Sequence, residues 1–289
     1  MNDSATNDPS PELAASSHGH GLAERSRSVG LVPFVFGIAG RTELPGVVLN
    51  RLLIDLGLTP AAAKTMLARM RNRGQLAAQR TGRGSRYRLA GPFERSFQRI
   101  RAGHTAAPII WPGWFHTLLY QVPEAERPFR DLLRRHALLV GYGMLQQGLL
   151  IATADHTEAL AVTLARRPAS AIVYHAELRL SVDDARTAAA QAWALADVDE
   201  VLRRHCVALE AALAEVPSRS EPTAQTLRRL AEIVNAPLID TLLAPNLPPE
   251  LLPTDWPMAT LHRLIGKAHE HYLPPARAYV EQLLAPHDL

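Results

Sequence analysis

Residues 58–89 of the 289-residue chain read LTPAAAKTMLARMRNRGQLAAQRTGRGSRYRL, and this stretch decides the fold of the N-terminal part. Thr59 followed by Pro60 predicts the start of a helix, because a hydroxyl can cap free N–H groups and proline is tolerated at the first helical position. The apolar residues on one face of that helix are Ala63, Met66, Leu67 and Met70. An amphipathic helix is therefore predicted from Thr59 to the breaker Gly74.

Two short strands are predicted directly after this helix. Residues 75–80 and 85–89 flank the glycine-containing loop Thr-Gly-Arg-Gly, which is the pattern of a β-hairpin. In the second strand the apolar residues Tyr87 and Leu89 alternate with arginines, so they lie on opposite sides of the strand. The hairpin therefore has one cationic face.

Two further helices are predicted upstream, ending at Gly40 and Gly57. Their apolar residues at helical spacing are Val32, Val35, Phe36 and Ala39 in the first and Val47, Val48, Leu52 and Leu56 in the second. Three helices followed by a basic hairpin form a winged helix-turn-helix. In that motif the helix after the turn lies in the DNA major groove, and the hairpin reaches a neighbouring groove or the backbone.

Charge is segregated along the chain. The overall net charge is +3, but residues 29–103 have thirteen basic and three acidic side chains, and residues 104–289 have a net charge of −5. Between Leu56 and Phe93 there are eight basic side chains and no carboxylate. A solvated face in an arginine-preferring chain (29 Arg against 2 Lys) is the alternative interpretation. The absence of acids is confined to this segment, which favours a polyanionic partner.

The predicted DNA contacts lie on the third helix and the hairpin. Lys64 and Thr65 fall on the outer helical face, where a lysine can reach guanine O6 and N7 and a threonine methyl can meet a thymine methyl. Thr59 either adds a contact at the helix N-terminus or merely caps the helix. The arginines expected at phosphates are Arg69, Arg71 and Arg73 in the helix and Arg83 and Arg86 in the wing.

The rest of the chain divides by pattern. Residues 1–28 are polar and predict a disordered tail, and residues 29–103 hold the winged helix-turn-helix with a linker helix near 92–101. Residues 104–180 follow the order βαββαβ of a ferredoxin-like domain. Residues 181–289 predict a helical C-terminal domain. The predicted fold class is α+β, with these three folded domains in chain order.

Two helices are predicted near the end of the chain, Met258–Tyr272 and Pro275–Leu284, after a proline-rich connector at 244–257. The second begins at a proline because proline lacks the N–H that a helix interior needs. No repeat of fixed period is found.

Composition and motifs exclude several protein classes. The single cysteine, Cys206, excludes an intrachain disulfide and fits a reducing cytoplasm. No apolar run approaches the roughly 20 residues of a membrane span, and the N-terminus lacks the basic region of a signal peptide. A cytoplasmic protein is expected. No P-loop, GxGxxG, GxSxG or HExxH pattern occurs, so neither an enzyme nor a cofactor is predicted. His269 and His271 point apart on a helix, so no metal site is predicted.

Three stretches together have a specific family resemblance. They are residues 58–74 with the wing 82–89, residues 114–148 with their PEAE and GYG segments, and residues 247–257, LPPELLPTDWP. They span nearly all of 30–285. In these stretches the chain resembles the PaaX family of transcriptional repressors, which regulate phenylacetic acid catabolism.

The resemblance implies a homodimer on an inverted-repeat operator of double-stranded DNA, released by an aryl-acetyl coenzyme A thioester. Lys64 stands where the family usually has arginine, which bears on the operator sequence. Leu150 replaces a usual tryptophan, which bears on the ligand. The side chains that either contact such a ligand or serve as ordinary surface and core residues are Arg134, Arg135, Arg166, Arg167, Trp111, Trp114, Trp193 and Trp256.

Two other functions remain open from the sequence. One is a nuclease-like or RNA-processing enzyme on the ferredoxin-like domain, since such folds support many activities. A metal-dependent nuclease needs clustered carboxylates at strand ends, and no acid precedes Glu177 in the three predicted inner strands. The other is a nucleoid protein that binds DNA without sequence preference.

Overall fold

Helices and two antiparallel sheets make up the chain, which confirms the α+β class. The computed structural model describes residues 30–81, 84–91, 94, 110–217 and 219–287. The predicted tail at 1–28, the loop residue Arg83 and almost all of the linker helix predicted at 92–101 lie outside the described residues.

Contacts between Cα atoms group the chain into two compact units. The first combines Met1–His104 with His205–Thr241 and Thr260–Leu289, and the second combines Thr105–Arg204 with Leu242–Ala259. Residues 181–289 are therefore divided between the two units. Long amphipathic helices bury their apolar stripes against whichever core lies beside them, and sequence order does not decide which core that is.

The N-terminal elements begin with three helices, as the apolar patterns predict. α1 spans Leu31–Ala39, α2 spans Gly46–Asp55 and α3 spans Pro60–Asn72. α1 ends at Gly40, whose φ of +64° lies in the left-handed region that glycine adopts without a Cβ clash. Val47, part of the predicted apolar pattern of α2, is 63% exposed, and the buried residues of this helix are Val48, Leu49, Leu52, Leu53 and Asp55.

A three-stranded antiparallel sheet adjoins these helices. Its strands are β1, Glu43–Pro45, β2, Leu76–Thr81, and β3, Gly84–Leu89, in the order β1-β3-β2. β2 and β3 are the predicted hairpin. β1 is not predicted by the sequence, because a three-residue strand that ends in proline shows no alternation.

The second unit contains a four-stranded antiparallel sheet with two helices between its strands. In chain order the elements are β4, Trp114–Gln121, α4, Arg127–Val140, β5, Gly143–Gln146, β6, Leu149–Ala152, α5, Thr157–Leu164, and β7, Ile172–Arg179. This is the predicted order βαββαβ, and the strands lie side by side as β5-β6-β4-β7. Just before α5, Asp155 Oδ1 accepts a 2.8 Å hydrogen bond from the Thr157 amide.

This sheet buries a core on each face. Leu118, Leu150 and Leu133 belong to the core on the α4 and α5 side, and Leu150 is fully buried there. On the other face Phe115 and Ile151 pack with α6, Val182–Ala192. Partly buried tryptophans packed against that second core are Trp111, Trp193 and Trp256. These three indoles therefore have packing roles.

Three long helices complete the chain: α7, Leu195–Ala214, α8, Ala224–Leu243, and α9, Met258–Leu284, followed by a 3-10 turn at Ala285–His287. The prediction of two helices in place of α9 was wrong, because Pro274 and Pro275 lie inside one continuous helix. The buried stripe continues at helical spacing across the two prolines through Ala268, Tyr272, Ala276 and Val280. Tertiary packing here outweighs the local cost of proline.

Candidate nucleic-acid interface

The start of α3 is fixed by its cap. Thr59 Oγ1 accepts a 3.2 Å hydrogen bond from the Ala62 amide, and Pro60 occupies the first helical position. The Thr59 side chain is exposed, so its hydroxyl proton remains available outside the helix. The structure therefore places Thr59 as the cap that the sequence predicts.

α3 has one buried face and one exposed face. Ala63, Leu67 and Met70 are buried. Lys64 and Thr65, the two residues predicted at base edges, are exposed on the opposite side. Small side chains flank them at Ala61 and Ala68, which are also exposed. This surface of α3 can therefore approach a partner closely.

The cations of α3 have no counter-ions in the described part of the chain. The Lys64 ammonium and the three predicted phosphate-binding guanidiniums form no ion pair or side-chain hydrogen bond with any described residue. Those arginines, all exposed, are Arg69, Arg71 and Arg73. Neighbouring arginines of the same unit differ, since Arg51 pairs with Asp55 and Arg41 with Glu281. Among the described residues nothing neutralises the positive field of α3, which suits a polyanion.

β3 presents its arginines away from the helix-packed face of the three-stranded sheet. Leu44 and Tyr87 are paired in the register, as are Leu76 and Leu89, and the leucines of this face are buried. Side chains alternate along β3, so Arg86 and Arg88 lie on the opposite face of the sheet.

Of the two arginines predicted in the wing, the structure describes one. Arg86 is half-buried and its Nη2 donates a 3.1 Å hydrogen bond to the main-chain carbonyl of His287. Arg83 lies outside the described residues. The sequence-based selection missed Arg80 and Arg88, which are exposed in the same hairpin. The charge run between Leu56 and Phe93 contains both, so charge alone was the signal that could have found them.

A close approach joins α2 to the hairpin. A Cβ on Gly46 would lie 2.7 Å from a ring carbon of Tyr87, so no larger residue fits there without movement. Glycine at the start of α2 therefore lets the helix rest directly on β3, and this packing fixes the hairpin relative to the helices.

The described residues contain neither a candidate metal site nor a candidate membrane-spanning helix. No group of three or more His, Cys, Asp or Glu side chains there could hold a metal ion. His271 Nε2 lies 2.9 Å from Ser220 Oγ, and Cys206 is buried. None of the described helices is long and apolar enough to cross a membrane.

The second unit has exposed arginines of its own. Those predicted as alternatives for coenzyme A phosphates or ordinary surface residues are Arg134, Arg135, Arg166 and Arg167, and all four are exposed. None pairs with a described carboxylate. Trp114 has the Arg179 guanidinium 4.6 Å from its ring centroid, and its main-chain carbonyl accepts a 3.2 Å hydrogen bond from Trp111 Nε1.

Residues 110–190 match the family model described as "PaaX protein central Cas2-like domain". In this range the chain is similar to a domain of the PaaX family, and the similarity suggests a transcriptional regulator. A solved structure, "Uncharacterized protein Rv0674 from Mycobacterium tuberculosis", is similar with a TM-score of 0.55 and 22% identity, over 89% of this chain and 98% of that chain. At this identity the likeness shows a shared fold. No curated protein matches this chain.

Proposed function

We propose that this protein is a transcriptional repressor that binds an inverted-repeat operator as a homodimer. In this proposal α1 to α3 and the sheet β1-β3-β2 form a winged helix-turn-helix, with α3 as the recognition helix. The helix order, the capped start of α3 and the hairpin that follows support this assignment. A two-fold dimer presents two such helices, which suits an operator with two half-sites.

The observation that carries the proposal is the unneutralised cationic surface of α3. Arg69, Arg71 and Arg73 supply charge for phosphates, and Lys64 supplies a donor for a guanine edge. Thr65 offers a methyl group to thymine. Thr59 stands at the N-terminus of α3, where backbone N–H groups also favour phosphate.

Release by an effector is the second part of the proposal. The effector is an acyl- or aryl-acetyl coenzyme A-like compound, which binds better to a conformation in which the two winged helices are wrongly spaced for the half-sites. The exposed, unpaired arginines of α4 and of the segment after α5 support an anionic ligand. The role involves no catalytic step and no cofactor, and we propose that such a regulator acts in the cytoplasm, where its operator lies.

Capture of DNA fragments from the source genome tests the proposal. The full-length protein is expected to retain a defined fragment over excess competitor DNA, and acyl-coenzyme A compounds are then screened for its release. A protein that retains no particular fragment contradicts the repressor role. A specific-to-nonspecific affinity ratio near one indicates a nucleoid protein instead.

Lys64→Ala provides the matched test of base recognition. It is expected to reduce operator affinity by about 1–3 kcal/mol and to leave nonspecific binding nearly unchanged. Lys267→Ala is the control, because Lys267 is the other lysine of the chain and is also exposed, in α9. Equal losses of operator affinity in the two variants would show that Lys64 does not contact the operator bases.

A further inference from the structure

The end of α2 is held by side chains from three helices. Asp55 closes α2, and its side chain is 8% exposed. Its carboxylate oxygens accept hydrogen bonds of 2.9 and 3.1 Å from Arg51 Nε, and Oδ2 accepts one of 2.7 Å from the Tyr279 hydroxyl. Arg228 Nε of α8 donates a 2.8 Å hydrogen bond to the Asp55 main-chain carbonyl. The buried carboxylate is thus satisfied by α2 and α9, and the main-chain carbonyl of the same residue by α8.

The last part of α9 holds the neighbouring N-terminal elements as well. Arg277 Nε donates a 3.2 Å hydrogen bond to the carbonyl of Ile38, near the end of α1. Glu281 pairs with Arg41 at 3.0 Å. The His287 carbonyl in the following 3-10 turn accepts the hydrogen bond from Arg86 of β3. Residues 277–287 therefore contact α1, α2 and β3.

The end of α2 also determines where α3 begins. Asp55 precedes the capping residue Thr59 by four positions. The turn between them is tightly bonded, with Gly57 at φ +101° and the Leu58 amide donating a 3.1 Å hydrogen bond to the Leu53 carbonyl. A short bonded turn transmits the orientation of one helix to the next, because it leaves few free dihedral angles.

We infer that Tyr279 and Asp55 are positioning residues for DNA recognition, through which the C-terminal helix α9 sets the direction in which α3 presents Lys64 to the DNA. This inference rests on the proposed function. It assigns to α9 a role within the DNA-binding unit, in which neither Tyr279 nor Asp55 touches DNA. Burial, followed by the Asp55 contact, raises the pKa of the Tyr279 phenol, so this group keeps the proton that it donates.

Tyr279→Phe is the direct test, because it removes one hydroxyl and keeps the ring. Tyr272→Phe is the matched control: Tyr272 is a buried tyrosine of the same helix and has no contact with α2 among its described interactions. Both proteins are titrated with the captured operator and with competitor DNA at a temperature where circular dichroism shows them folded. Tyr279→Phe is expected to lower operator affinity by roughly fivefold, the low end of typical coupling between sites, with nonspecific affinity and salt slope unchanged.

A merely structural role gives a different result. Loss of folded protein reduces specific and nonspecific binding equally, and that outcome would overturn the inference, as would unchanged operator affinity or an equal loss for Tyr272→Phe. If Tyr279→Phe does not fold, Arg228→Gln takes its place, with Arg229→Gln as its neighbouring control. Failure of the wild-type protein to retain DNA refutes the proposed function itself, whereas wild-type binding with an unaffected variant refutes the inference alone.

Discussion

The guanidinium of Arg86 in β3 donates a hydrogen bond of 3.1 Å to the main-chain carbonyl of His287, 201 residues further along the chain. A guanidinium has five N–H donors, so this bond fixes the side chain and leaves donors for a phosphate. The contact also shows that His287 lies beside β3 of the predicted wing.

Replacement of Arg83 and Arg86 by alanine tests the wing. The double variant is expected to bind all DNA sequences more weakly by a similar factor, because phosphate contacts carry no sequence information. A gel-shift titration on operator and on unrelated DNA measures the effect. The control removes two other arginines, the exposed Arg219 and the partly exposed Arg229, and unchanged affinity of the wing variant would count against the wing assignment.

The ion pair between Arg51 and Asp55 predicts a stability difference. Arg51→Ala is expected to lower the free energy of unfolding more than a fully exposed pair does, because the buried Asp55 carboxylate loses its charged donor. Arg204→Ala removes a pair of the same i,i+4 spacing, in which both partners are exposed, and is expected to cost at most about 0.5 kcal/mol. Urea denaturation compares the two. Similar losses of unfolding free energy in the two variants would mean that burial of Asp55 does not strengthen its ion pair.

His156 predicts a pH-dependent component of stability in the second unit. Burial lowers the pKa of this imidazole, although the nearby Asp155 carboxylate opposes the shift. The unfolded chain therefore binds the proton more readily, and stability is lost as the pH falls through the ordinary histidine pKa of about 6.5. Thermal melts between pH 5 and 8 are expected to depend less on pH in His156→Gln than in the wild type. His287→Gln, at an exposed position, is the control, and identical pH profiles for His156→Gln and the wild type would contradict the assignment.

The proposed release by an effector predicts variants that bind the operator normally but respond less to the effector. Alanine at Arg134 and Arg135 is expected to raise the concentration of acyl-coenzyme A needed to release operator DNA, because two cations available to its phosphates are removed. Operator affinity without effector is expected to stay unchanged. Release titrations followed by fluorescence anisotropy measure both quantities, and an unchanged release concentration would exclude these arginines from the ligand site.

Much of the fold follows from local patterns in the sequence. The cap at Thr59, the helix end at Gly40 and the alternation around Tyr87 are local signals, and each corresponds to an observed element boundary or strand face. The exposed position of Lys64 follows equally from the apolar stripe of α3.

Features that depend on distant residues could not be predicted. β1 exists because β3 pairs with it, and α9 passes Pro274 because its buried stripe has a core to pack against. The contacts of Asp55 with Tyr279 and Arg228 join residues that are far apart in sequence, and no pattern within one segment encodes them. The contacts of the C-terminal helix α9 with the end of α2 are therefore visible only in the structure.

The salt dependence of operator binding tests the central claim most directly. Ten phosphate contacts per dimer, three from each α3 and two from each wing, predict that log affinity falls against log salt concentration with a slope of about −9. Single alanine substitutions at Arg69, Arg71 and Arg73 each remove two contacts per dimer, so each is expected to reduce that slope by about 1.8. A wild-type slope near zero, or slopes that these substitutions leave unchanged, would contradict DNA binding through the exposed face of α3.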